Sequence, residues 1–137
     1  MPAMKICSMT AVCLVFIFPT TGHAADKKPS KPATSQQDSY MQGRIFSAIE
    51  DEGAGRCCLD EALRKLQYVN DDIKKFEYPA HTRWMAHYWY AKVLLEKRNA
   101  KKASRIILFA QDDAQSLSSQ EKDDTQKLAH DIQPRNP

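Results

Sequence analysis

The sequence predicts an all-α fold, a small antiparallel helical bundle or a set of stacked helical hairpins, with about five helices. Three observations carry this prediction. Apolar residues from position 38 onward recur at steps of three and four, no alternating strand pattern of useful length is present, and the whole chain holds only four glycines. The chain length favours one helical domain, which we place at residues 38–133.

The first two predicted helices flank a turn that contains glycine. The first begins after Asp38 or Ser39, either of which can cap it, and ends at Gly53 and Gly55. The second stops before Pro79 and has the clearest amphipathic pattern in the chain. Its apolar face consists of Leu59, Ala62, Leu63, Leu66, Val69, Ile73 and Phe76.

The third predicted helix runs from about Thr82, whose hydroxyl can cap it, to about Arg98. It carries two apolar stripes, which is typical of a central helix, so we place it between the second and the fourth. The fourth helix follows a turn at Asn99. The last begins at Ser118, which has capping-box spacing to Glu121, and is expected to cover the core with a polar outer side.

Short connections predict antiparallel neighbouring helices, and this has a consequence for charge. The acidic residues 50–52 at the end of the first helix should meet the basic turn after the third, because such pairing relieves charges that oppose the helix dipole. That turn holds Lys97, Arg98, Lys101, Lys102 and Arg105. At the opposite end, Lys74, Lys75 and Arg83 should face Asp112, Asp113, Asp123 and Asp124.

Residues 1–24 have the composition of a cleavable secretory signal peptide. Lys5 precedes an uncharged apolar run at residues 6–18, and Gly22 and Ala24 place small residues three and one before a cut after Ala24. This run is shorter than the roughly 20 residues that a bilayer needs, so no stable membrane span is expected. We therefore expect a secreted or periplasmic protein.

Residues 25–37 hold three lysines, two prolines and no large apolar residue, which predicts a disordered leader. Removal of residues 1–24 takes away Lys5 and lowers the formal charge from +3 to +2. A charge so near zero gives no electrostatic reason to expect binding to nucleic acid or to an anionic membrane surface.

Residues 84–117 resemble one tetratricopeptide hairpin, in which small residues let two helices approach closely. The matching residues are Tyr90, Ala91, Leu94, Ala103, Ile107 and Ala110. The pattern departs from that family at Ala91, where the family has glycine, and near Gln115, where it has proline. Equating Ala62 with Ala103 gives a spacing of 41 residues, whereas such repeats run at about 34. The resemblance implies a protein-binding or assembly role.

Cys57 and Cys58 are adjacent, and they are the only cysteines after position 24. Adjacent Cα atoms lie about 3.8 Å apart, below the roughly 4.4 to 6.8 Å that a disulfide spans, so a bond between them would be strained. Three alternatives follow: an intermolecular link in a homodimer, a labile redox pair, or two reduced thiols at the start of a helix. One cysteine pair alone is a poor zinc signature, and we predict no metal site and no cofactor.

His81 and Met85 lie four residues apart on one predicted helical face and could offer ligands to copper, whereas His87 lies on another face. Tyr78, Trp84, Tyr88 and Trp89 surround these positions in the sequence. We therefore favour an aromatic core with polar edges over a metal site.

No nucleophile with a base, paired buried carboxylates or phosphate-binding glycine loop occurs at a recognised spacing, so we predict a chain without catalytic residues. The leading hypothesis is an exported adaptor or assembly factor that binds a protein partner in the cell envelope. Tyr88, Trp89 and Arg98 are its predicted contact residues, because aromatic residues and arginine dominate binding energy. The alternative is a redox- or copper-responsive envelope protein that uses the cysteine pair, His81 and Met85.

Overall fold

The computed structural model describes residues 31–133, so the predicted signal peptide and residues 25–30 of the predicted leader lie outside the described residues. The described part contains five α-helices, a short 3-10 turn, and no strand beyond an isolated bridge between Pro32 and Glu77. The helices are α1 (Ser35–Gly53), α2 (Leu59–Asp72), α3 (Ala80–Glu96), α4 (Ala100–Ala114) and α5 (Ser119–Ile132), and the 3-10 turn Arg56–Cys58 joins α1 to α2. The predicted all-α class is confirmed.

Helix α1 begins earlier than the sequence analysis placed it. Thr34 Oγ1 accepts a hydrogen bond from Gln37 N at 3.1 Å, and Gln37 Oε1 accepts one from Thr34 N at 2.8 Å. This capping box satisfies two backbone donors at once, so the predicted start after Asp38 or Ser39 was wrong. Residues 35–37, which we assigned to the leader, belong to α1.

Helices α2 and α3 are separated by a longer turn than predicted. Helix α2 ends at Asp72, so Phe76 lies beyond it in the connection. Helix α3 begins at Ala80, and Thr82 does not cap it. Instead, the buried Thr82 hydroxyl donates to Asp38 Oδ1 at 2.6 Å and thereby joins α3 to α1.

The end of α3 is closed by a residue in the left-handed backbone region. Arg98 has φ 66°, its N–H donates to Leu95 O at 2.9 Å, and the Asn99 N–H donates to Leu94 O at 2.8 Å. These two bonds form a Schellman motif, which favours glycine at the position of Arg98. Asn99 then caps α4, because its Oδ1 accepts from Lys102 N at 3.1 Å.

The helices form two layers. Helix α3 contacts each of the other four described helices, which confirms the central position predicted for it. Helices α1 and α5 both contact α3 but not each other, and α2 and α4 do not contact each other. Helices α1, α3 and α5 therefore form one layer, and α2 and α4 form the second.

The sequence spacing of the contacts between helices repeats along the chain. Helix α1 contacts α3 through Gln42 and Thr82, which are 40 residues apart. Helix α3 contacts α5 through Trp84 and Thr125, which are 41 apart. Buried residues of α2 and of its C-cap recur 41 positions later in α4: Ala62 and Ala103, Leu66 and Ile107, Val69 and Ala110, Ile73 and Ala114. The described chain is thus a helical hairpin repeated after about 41 residues, followed by the first helix of a third unit.

The core runs between the two layers, and a buried asparagine joins α2 to α3 within it. Asn70 is buried, and its Nδ2 donates to Leu66 O at 2.9 Å and to Ala86 O at 3.0 Å. No helix within residues 31–133 has the length and apolar character needed to cross a membrane.

The predicted charge pairing is confirmed for Arg83 with Asp113 and is wrong at the end of α1. Arg83 Nε lies 3.1 Å from Asp113 Oδ1, as expected. At the end of α1, however, Glu52 pairs with Lys92 at 2.8 Å and Asp51 forms an ion pair with Lys65 at 2.7 Å. The predicted partners in the basic turn do not make these contacts, because lysines on the adjacent helices lie closer.

Candidate functional site

The structure brings together two of the three predicted contact residues. Tyr88 and Trp89 are half-buried on α3 and pack edge to face, with ring centroids 5.5 Å apart. Arg98 follows Trp89 by nine positions, or about 13 Å along the helix axis. There it lines an open cleft of about 530 Å³ with Arg56, Leu95, Glu96 and Ala100, at the end of α3.

Trp84 holds Tyr88 from the other side. The two rings stack with centroids 4.9 Å apart and an interplanar angle of 25°. Trp84 Nε1 donates to Thr125 Oγ1 at 2.7 Å, and the Thr125 hydroxyl donates to Glu121 O at 2.6 Å, so α5 is fixed to the aromatic group. The role of Thr125 was not predicted, because no periodicity within one helix signals a contact between α3 and α5.

Lys92 lies one turn beyond Tyr88 and interacts with both an indole ring and carboxylates. Its Nζ is 5.2 Å from the centroid of Trp89 and 2.8 Å from Glu52 Oε2. Glu96 Oε2 lies 3.6 Å from the same Nζ. The spacing of Trp84, Tyr88 and Lys92, four residues apart at each step, could have identified this stripe from the sequence.

The Glu52 and Glu96 carboxyl groups titrate differently. Burial, reinforced by a hydrogen bond to Glu52, raises the pKa of Glu96. Burial also acts to raise the pKa of Glu52, but hydrogen bonds with Lys92 and Glu96 outweigh it and lower that pKa. The pair therefore favours a proton on Glu96 and a negative charge on Glu52 next to Lys92.

Carboxylates of α1 and α5, the two other helices of the same layer, act on Tyr88. Burial raises the pKa of its hydroxyl, and the charges of Asp124, Asp131 and Glu52 raise it further, against an opposing effect of Lys92. We define the α3 face as the aromatic and lysine side chains Tyr88, Trp89 and Lys92 together with the carboxylates of Glu52, Glu96, Asp124 and Asp131. It combines aromatic rings with four acidic groups and one ammonium group.

The cysteine pair lies on the 3-10 turn at the start of α2. Both thiols are free, with Cys57 exposed, Cys58 half-buried and their Sγ atoms 2.7 Å apart. Cys57 Sγ is also 3.8 Å from Ala54 O. The hydrogen bond with Cys57 raises the pKa of Cys58, and burial adds to this effect.

His81 and Met85, the copper ligands of the alternative hypothesis, differ in accessibility. Met85 is buried in the core, whereas His81 is exposed and its Nε2 lies 3.8 Å from Glu121 Oε2. Within residues 31–133, no group of three or more His, Cys, Asp or Glu side chains is arranged to hold a metal ion. Met85 therefore cannot join His81 at the surface without leaving the core.

His87 has a structural role that the sequence analysis did not identify. Its Nδ1 lies 2.8 Å from Asp113 Oδ2, and its ring stacks on Phe109 with centroids 5.3 Å apart. Asp113 also accepts from Arg83 Nε at 3.1 Å. The three polar side chains therefore hold α3 against α4.

Comparison of the chain with models of protein families, with curated proteins and with solved structures gives no match. The resemblance of residues 84–117 to a tetratricopeptide hairpin stays a prediction.

Proposed function

We propose that this chain is an exported adaptor or assembly factor without catalytic activity, and that it binds a basic segment of a protein partner in the cell envelope on the α3 face. One observation carries the proposal: Tyr88 stays half-buried among aromatic rings while carboxylates of α1 and α5 act on its hydroxyl. The signal-like composition of residues 1–24 supports the export, and thus a secreted or periplasmic location.

Aromatic rings and carboxylates favour the same kind of ligand. Tyrosine and tryptophan supply large contact areas with few rotatable bonds, and their faces attract cations. Lys92 over the ring of Trp89 is an internal example of such a contact. A lysine or arginine of a partner can stack on these rings and pair with Asp124 or Asp131, so the chemistry of the face favours a basic segment.

The two-layer arrangement also supports a binding role. Stacked hairpins place one helix of each unit in the same layer, so α1, α3 and α5 present a continuous surface. A competing surface lies in the other layer, where Leu108 and Phe109 of α4 are exposed to 62% and 56%. We favour the α3 face because it combines aromatic rings with carboxylates, and these carboxylates select a basic partner.

Tryptophan fluorescence provides a direct test, since Trp84 and Trp89 are the only tryptophans in the chain, Trp89 belongs to the α3 face and Trp84 stacks on its Tyr88. We expect a short lysine-rich peptide to change the emission in a saturable manner, with an affinity that falls as salt rises. A glutamate-rich peptide of the same length should give no saturable change.

Charge variants identify the surface. The double variant Asp124→Asn and Asp131→Asn should weaken binding of the lysine-rich peptide about tenfold, which corresponds to about 1.4 kcal/mol. The matched control, Asp71→Asn and Asp112→Asn, makes the same change of charge on exposed positions of α2 and α4 and should leave the affinity within about twofold. Equal losses in the two double variants would refute the assignment to the α3 face.

A capture experiment tests the partner itself. Crosslinking in envelope extract should recover a protein with wild-type chain that the Asp124 and Asp131 double variant fails to recover, and the segment crosslinked to the α3 face should be rich in lysine or arginine. Failure to recover any such protein, repeated with crosslinkers of different length, would count against the adaptor function.

A further inference from the structure

The turn between α1 and α2 presents two thiols in direct contact. Cys57 and Cys58 have Sγ atoms 2.7 Å apart, and both are free thiols. Cys57 is exposed, whereas Cys58 is half-buried at the N-cap position of α2. A reagent that approaches from solvent therefore meets Cys57 first, with Cys58 directly behind it.

We propose that Cys57 and Cys58 form a reversible dithiol–disulfide site that exchanges two electrons with a disulfide of the glutathione type or of a partner protein. Cys57 is the attacking thiol and Cys58 the resolving thiol. The proposal goes beyond the adaptor function and does not depend on it, because the pair lies outside the α3 face.

The reaction proceeds in two exchange steps that balance. The Cys57 thiolate attacks one sulfur of the incoming disulfide, which forms a mixed disulfide and releases the first partner sulfur as a thiolate. The Cys58 thiolate then attacks Cys57 Sγ, which closes the bond between Cys57 and Cys58 and releases the second partner sulfur. The two protons lost by the cysteines end on the two partner thiols, so the chain is oxidised by two electrons and the partner disulfide is reduced.

The position of the sulfurs favours the second step. Because the two Sγ atoms already touch, Cys58 needs no movement of a helix to reach the mixed disulfide on Cys57. The pKa of Cys58 is raised first by the hydrogen bond with Cys57, and this bond is lost when Cys57 enters the mixed disulfide. Cys58 therefore keeps its proton while Cys57 reacts and gives it up more readily afterwards.

The backbone makes the product easy to reduce. Adjacent Cα atoms across a trans peptide are about 3.8 Å apart, short of the roughly 4.4 Å minimum of an ordinary disulfide. Strained disulfides are more readily reduced, so a dithiol partner can take the bond over and return Cys57 and Cys58 to thiols. The site is thus suited to a transient exchange of disulfides rather than to a permanent link.

The test uses the full chain with Cys7→Ser and Cys13→Ser, so that Cys57 and Cys58 are its only thiols. Oxidised glutathione is added, remaining thiols are alkylated at intervals, and intact masses are measured. We expect the main product to lack two hydrogen atoms, to carry no adduct and to resist alkylation. Dithiothreitol should restore both thiols.

Single variants assign the roles of the two cysteines. Cys58→Ser should accumulate a stable glutathione adduct on Cys57, because the resolving thiol is gone. Cys57→Ser should react with oxidised glutathione at about one tenth of the rate of Cys58→Ser, or more slowly still. The reason is that Cys58 is less exposed than Cys57 and has a raised pKa. Far-ultraviolet circular dichroism checks that both variants keep their helices.

Three results would overturn the proposal. One is a wild-type product that carries stable adducts on both cysteines, and another is equal adduct formation on Cys57 and Cys58 in the single variants. The third is a disulfide-linked dimer as the main species on a non-reducing gel, which would instead support the intermolecular link between two copies.

Discussion

Replacing Thr125 by valine removes the hydroxyl that joins α5 to Trp84 and keeps the shape of the side chain. Thr125 is 1% exposed, and its Oγ1 accepts from Trp84 Nε1 at 2.7 Å. Trp84 is itself only 7% exposed, so no solvent reaches the indole N–H to replace this acceptor. The Thr125→Val variant therefore leaves a buried donor without a partner.

The expected loss follows from that unpaired donor. A buried donor without a partner costs about 1 to 3 kcal/mol, and the added buried methyl group offsets up to about 0.8 kcal/mol of it. We therefore expect Thr125→Val to lower the free energy of unfolding by about 1.5 kcal/mol, which corresponds to a fall in Tm of roughly 6 to 12 °C for a domain of this size.

A double-mutant cycle separates the hydrogen bond from other effects of valine. Unfolding by urea is followed by circular dichroism in the wild type, Thr125→Val, Trp84→Phe and the double variant. Phenylalanine has no N–H, so in its background the valine substitution should cost less than about 0.5 kcal/mol. Thr125→Ser, which keeps the hydroxyl, should lose about 1 kcal/mol from the missing methyl group in both backgrounds. An equal cost of valine in both backgrounds would refute the assigned role of the hydrogen bond.

Three further substitutions have signs that the structure predicts. Arg98→Gly should raise the free energy of unfolding by about 1 kcal/mol in thermal melts, because glycine adopts the positive φ of Arg98 without steric cost, whereas Arg98→Ala should give no such gain. Glu96→Gln should be more stable than the wild type by about 0.5 kcal/mol at pH 7 and equal to it near pH 4 in urea melts. The pKa of Glu96 is raised in the folded state, so its protonated carboxyl group contributes its full stability below the unfolded-state pKa. That contribution is lost as pH rises through the folded-state pKa, whereas glutamine stays neutral at every pH. Asn70→Ala should cost about 2 kcal/mol in urea melts, because it removes the bond to Ala86 O and leaves a cavity. A cost below about 0.5 kcal/mol would contradict the role of Asn70 as the link between α2 and α3.

Helix ends show how far local patterns determine this fold. The turn at Asn99 was predicted correctly because its side chain competes for a nearby backbone donor, a signal contained in a few residues. The start of α1 was misplaced because Thr34, Asp38 and Ser39 are all able to cap a helix. Thr34 is selected because Gln37 completes its capping box and because Asp38 pairs with Thr82 of α3, a partner that only tertiary structure supplies.

In the candidate site, too, local sequence patterns determine some features and tertiary contacts determine others. The sequence placed Tyr88 and Trp89 together, since neighbouring positions on one helix cannot separate. The third predicted contact residue, Arg98, lies farther away, because sequence separation along a helix becomes distance along its axis. The sequence also placed His81 and Met85 on one face, whereas neighbouring helices leave His81 exposed and cover Met85.

By itself, the sequence determined the helical class, the number of helices and the apolar stripes of α2 and α4, because side-chain periodicity and capping depend on residues within a few positions. The tertiary structure decided the two-layer order, the pairing of Lys92 with Glu52 and the bond from Trp84 to Thr125. These contacts join residues 40 or 41 positions apart, and they depend on how two helices cross. An apolar stripe indicates that one face of a helix will be buried, but the crossing geometry of the two helices decides which residues pack against that face.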